Sequence, residues 1–83
     1  MPESHKCYLR DLGYALKTEA IAARRERDAA PEGSDERSLQ EGRLLAYYEV
    51  VSAMQNRAEV FEIPLADMCL DDIHPDRDLL SSG

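Results

Sequence analysis

The feature that most constrains this 83-residue chain is a break, Ala-Pro-Glu-Gly-Ser-Asp at positions 30–35, set between two long stretches that both read as helix. Pro31 stops a helix because it lacks the amide proton and its ring collides with the preceding turn. Gly33 permits a positive φ at a tight turn. Ser34 or Asp35 can cap the next helix, and Asp35 and Glu36 suit the positive end of its dipole. Ser38 with Glu41 forms an alternative capping box four residues later. A connection this short joins antiparallel neighbours, so the break predicts a helical hairpin.

The patterns on either side agree. From about residue 5 to 29, Leu9, Leu12, Leu16, Ala20 and Ala23 recur at spacings of three and four, one face of a helix. Tyr8, Ala15 and Ala22 widen that face, Ser4 is a candidate N-cap, and Arg24 and Asp28 are spaced for an ion pair on the solvent side. Gly13 interrupts this helix at a cost of about 1 kcal/mol relative to Ala. The second helix is expected over about 35–62, with Leu44, Tyr47, Val51, Met54, Ala58 and Phe61 forming a heptad stripe. With the turn centred near residue 32, Gly42 is expected opposite Ala22 and Gly13 opposite Val51. Pro64 then suits the first position of a short third helix over about 64–70, turning Leu65, Met68 and Cys69 back toward the hairpin. Residues 71–83 read as a polar tail broken at His74-Pro75, with the final Ser-Ser-Gly expected to be disordered. The whole is one all-α domain over 1–83.

Segment 44–54 bears on association. Nine of its eleven residues are apolar or aromatic, interrupted only by Glu49 and Ser52. Leu44, Tyr47, Val51 and Met54 point one way, Leu45 and Tyr48 a second, and Ala46, Val50 and Ala53 a third. A helix that is apolar all round is buried on more than one side, and one neighbouring helix covers only one. A chain this short also buries a modest share of its surface alone. The expected solution is a homodimeric four-helix bundle, with Leu44, Leu45, Tyr47, Tyr48, Val50, Val51 and Met54 at the interface.

Charge narrows the partners. The net charge is −7, yet residues 1–58 hold ten acids against nine bases, while residues 59–83 hold seven acids against Arg77 alone. Nucleic-acid binding needs cations to displace phosphate counterions, and Arg24, Arg25 and Arg27 are diluted by Glu26 and Asp28. A helix-turn-helix would need a shorter turn and a more basic second helix. No stretch approaches the roughly 20 apolar residues of a membrane span, and the first residues lack the pattern of a signal peptide. The expected compartment is the cytoplasm, where two cysteines are ordinarily free thiols.

Candidates for chemistry are few. His5 and Cys7 at the start of the first helix, with Cys69 and His74 after the second, could meet at the open end of the hairpin as a two-thiolate, two-imidazole zinc set. Their spacing matches no familiar finger, and buried cysteines with exposed terminal histidines explain them as well. Asp67, Asp71, Asp72, Asp76 and Asp78 lack the glycine and closing glutamate of a calcium loop and read as a solvated acidic edge, or as a surface for a basic protein. Tyr47, Tyr48 and Glu49, with Tyr14 expected to face the second helix, could suggest acid–base work, but tyrosines at helical spacing read as core and interface residues with the hydroxyl at the rim. No nucleophile triad, phosphate loop or nucleotide fingerprint is present, so neither an enzyme nor a bound cofactor is expected. The sequence points to a small protein-interaction module, a homodimeric adaptor or regulatory subunit. The alternatives are a subunit of a heteromeric complex, as an antitoxin or immunity protein is, or a zinc- or redox-responsive module.

Overall fold

Helix α1 spans Glu3–Ala29 and helix α2 spans Asp35–Val60, packed against each other along an elongated body of 47 × 21 × 16 Å. The computed structural model describes residues 3–80. The hairpin turn forms as its residues require. Gly33 takes φ 78, and the Ser34 hydroxyl donates to the Pro31 carbonyl at 2.7 Å while accepting from the Arg37 amide at 3.1 Å. The cap is therefore Ser34, and the later capping box at Ser38 is not used. The Arg37 guanidinium reaches back to the carbonyls of Arg27 and Ala30 at the end of α1, adding a donor to the Arg27 carbonyl that the Ala30 amide already meets at 3.2 Å. At the other end Ser4 lies inside α1, in its first turn, and is no cap.

The hairpin core is narrow because α1 offers small residues to α2. Ala20 and Ala23 are fully buried, and Leu44, Val51 and Ala58 close on them. These last three are the heptad stripe of α2, with Gln40 continuing it toward the turn. Phe61, expected as its next member, lies beyond the end of the helix and is exposed. α2 stops two residues earlier than its pattern suggests. Glu62 turns to φ 56, the Ile63 amide donates to the Ala58 carbonyl at 2.8 Å, and the Glu62 amide donates to Glu59 at 3.1 Å. This is the Schellman arrangement that closes many helices, here with glutamate in place of the usual glycine.

The segment beyond α2 departs most from the expectation based on sequence. Pro64 takes extended backbone, and the expected third α-helix is a single 3₁₀ turn, Leu65–Met68. It ends in the same Schellman arrangement, with Cys69 at φ 59 and the Leu70 amide bonded to the Leu65 carbonyl. Residues 71–80, expected as part of a polar tail, instead continue from Leu70 as a strap along the hairpin. Leu70, Ile73 and Leu79 are buried, and the strap closes on a π-helical turn, Asp76–Leu80. The final Ser-Ser-Gly lies outside the described residues.

The glycines report the same difference. Gly13 packs under the backbone of the 3₁₀ turn and not against Val51: a Cβ there would stand 1.7 Å from the Met68 carbonyl oxygen. Gly42 has no neighbour within 4 Å of its would-be Cβ, so no close approach occurs at that point.

Candidate functional site

The strap divides the hairpin into a covered side and an open side. On the covered side, Lys17 Nζ of α1 donates to Asp72 Oδ1 at 2.8 Å, and Arg24 donates to the Asp78 carbonyl. From α2, Gln55 Nε2 donates to the carbonyls of Leu70 at 3.1 Å and Ile73 at 2.9 Å, and the Tyr48 hydroxyl donates to Asp76 at 2.6 Å. The strap thus runs from Gly13 toward the turn, bridging both helices. Asp78 fixes its end by accepting from the His74 amide at 2.8 Å while the Asp78 amide donates to the His74 carbonyl. The Arg77 guanidinium, with that amide, holds the Asp78 carboxyl down at about 2. The bond to Lys17 lowers the Asp72 carboxyl, and the same bond raises the Lys17 ammonium.

This geometry redistributes the residues expected at an interface. Leu44 and Val51 are spent inside the hairpin core, because they face the alanines of α1. Tyr48 is half-buried, with its phenol pKa raised by the bond to Asp76, and so belongs to the covered side. Leu45 remains 49% exposed. Three of the seven lie toward the open side: Tyr47 and Met54, each half-buried, and Val50, 42% exposed.

The open side carries the apolar residues that the strap leaves uncovered. Leu39, Ala46, Val50, Ala53 and Phe61 are exposed along this flank of α2, and Leu9, Leu12 and Leu16 of α1 are half-buried. Arg43 crosses between the helices, meeting Glu26 at 2.7 Å and Glu19 at 3.1 Å and lying 5.8 Å from the Tyr47 ring centre. At the open end of the hairpin lies a groove of about 300 Å³. Leu9, Ala53, Met54, Phe61, Ile63 and Met68 line it, and Arg57 is its single charged lining residue. Phe61 is 70% exposed at the rim. The groove lies at the small end of the range for ligand or side-chain pockets.

The Cys/His residues do not assemble. His5 and Cys7 are exposed at the start of α1, where Cys7 shares a small cleft with Glu3, Lys6, Arg10 and Asp67. Cys69 sits beside Lys17, its sulfur 3.7 Å from Nζ, which is about 15 Å further along the helix than Cys7. The strap then carries His74 further still from the open end. Among the described residues no group of three or more His, Cys, Asp and Glu is placed to hold a metal, and both cysteines are free thiols. Asp72, Asp76 and Asp78 bond within the chain, so they do not form a free acidic edge. Tyr14 faces outward under the Lys17 ammonium and not toward α2. Near the turn, Arg24 and Arg27 pair with Asp28, and Arg37 pairs with Glu41.

Sequence reasoning missed the clasp formed by Gln55, Asp72 and Asp78. Its one signal was Gly13, since a glycine inside a long helix marks close backbone approach as readily as a defect. Among the described residues, no helix is long and apolar enough to cross a membrane. In comparison with protein-family models, curated proteins and solved structures, nothing matches the chain.

Proposed function

We propose that the protein is a non-catalytic interaction module that acts as a homodimer, two hairpins pairing through their open sides into a four-helix bundle. The observation that carries this reading is the one-sided distribution of the strap. It lies over the Tyr48 side of α2 but leaves Leu39, Val50, Ala53 and Phe61 in solvent beside the half-buried Tyr47 and Met54. An exposed, largely apolar flank of this kind marks an interface, and each large side chain it buries contributes about 1.5–3 kcal/mol. A second copy supplies an equal flank and requires no other partner.

Sedimentation of the purified chain across the micromolar range tests the reading. A reversible dimer supports it, and a folded monomer at every concentration overturns it. Material that aggregates or stays molten alone, and becomes ordered only with a different protein, would also overturn it, in favour of a heteromeric subunit.

A further inference from the structure

The open flank of α2 is symmetric about one residue. Counting outward from Val50, positions four away are Ala46 and Met54, positions seven away are Arg43 and Arg57, and positions eleven away are Leu39 and Phe61. Offsets of four, seven and eleven return to the same face of a helix. The order along this flank is therefore apolar, Arg, apolar, Val, apolar, Arg, apolar, and it reads alike in both directions. The structure places all seven on or beside the open side, with Leu39, Ala46, Val50, Arg57 and Phe61 exposed.

We propose that the dimer is antiparallel, with its two-fold axis passing at Val50, so that Leu39 of each copy covers the Phe61 end of the other's apolar groove. This rests on the homodimer reading and adds its register. A two-fold interface is self-complementary, so a residue a given distance before the axis meets the residue the same distance after it. Leu39 and Phe61 both lie about 16 Å from Val50 along the helix, on opposite sides of it. An exposed leucine thus meets a groove end that its own chain leaves open, and this happens twice.

Charge fits the same register. Arg57, which would meet Arg43 of the second copy, makes no ion pair among the described residues. Arg43 itself is bonded to two carboxylates, Glu19 and Glu26, one more than it needs for neutrality. The cluster carries a net negative charge to which Arg57 of the second copy brings the missing cation. A parallel arrangement would put Arg57 beside Arg57 and Leu39 beside Leu39, leaving both groove ends uncovered.

Cysteine cross-linking tests this, in a Cys7→Ser, Cys69→Ser background whose dimer is first confirmed by light scattering. Val50→Cys should oxidise to a disulfide-linked dimer in most of the protein, because residues on the axis approach within the reach of a disulfide. Leu39→Cys mixed with a size-tagged Phe61→Cys chain should give the mixed species in preference to either self-linked one. Self-linkage of Leu39→Cys overturns the antiparallel register. A dimer in which Val50→Cys stays reduced while Leu45→Cys links moves the axis off this flank, and also overturns the inference while leaving the homodimer reading standing. A monomer by light scattering removes both.

Discussion

Gly13 costs α1 about 1 kcal/mol of helix propensity, and by sequence alone it counts as a blemish. In the folded chain it is the opening through which the Met68 carbonyl comes down onto the helix, leaving no room for even a methyl group. Two effects of opposite sign act on Gly13→Ala. Propensity favours the alanine by about 1 kcal/mol, while forcing an atom into occupied space costs about 1–3 kcal/mol and here must displace backbone. The overlap wins. Gly13→Ala should lower the chemical-denaturation midpoint and raise amide exchange at Leu65–Leu70, whereas Gly42→Ala, with open space around it, should stabilise the chain by up to about 1 kcal/mol. Equal effects at the two sites would mean that the 3₁₀ turn does not rest on α1. Glu62 and Cys69 belong to the same scale: each accepts the left-handed conformation so that the chain can turn sharply and return along its own helices.

Among the elements, the strap stands or falls on a few polar clasps laid over three apolar anchors. Gln55 donates to the Leu70 and Ile73 carbonyls of the strap, and Gln55→Ala should cost about 1–3 kcal/mol and speed proteolysis after Leu70, with α1 and α2 retaining their helicity. The strap should also loosen in acid. Asp78 is held at about 2 against an ordinary 3.8, and Asp72 is lowered in the same direction. A carboxyl depressed by folding stabilises the fold above its unfolded pKa, and that contribution fades as pH falls through the folded value. Stability should therefore be level from about pH 5 upward and decline between about pH 4 and 2, and Asp78→Asn should flatten the decline; an unchanged profile in that variant would exclude Asp78 as its source. Lys17, raised by Asp72, has the opposite sign: its contribution is complete below its ordinary value and is lost only in strong alkali.

The two long helices were legible in the sequence because 3.6-residue periodicity and the Pro31, Gly33, Ser34 turn are local signals. The strap was not. Its anchors Leu70, Ile73 and Leu79 follow no regular period and sit among aspartates that count as solvent-facing until Lys17, Arg24 and Tyr48 are seen beside them. For the same reason Tyr48 could not be assigned to a covered side from its position on α2 alone.

At the scale of the whole molecule, the strap answers part of the problem posed by an all-round apolar segment and leaves the rest. It satisfies one flank, so that in the proposed dimer the second copy covers only the other. That narrows the interface from the seven residues expected from sequence to a flank centred on Val50. It also explains why Leu44 and Val51 are poor probes of association: changing them would damage the hairpin itself. Val50 is the informative position, exposed in one chain and, in a two-fold pair, counted twice.

The most direct measurement is sedimentation equilibrium of the unmodified chain beside Val50→Arg, with circular dichroism confirming equal helix content. The unmodified chain should run at twice the mass of one chain in the micromolar range, and Val50→Arg should raise the dissociation constant by about two orders of magnitude, from two lost side-chain burials. A single-chain mass for the unmodified protein, or an association that Val50→Arg leaves untouched, would contradict the account.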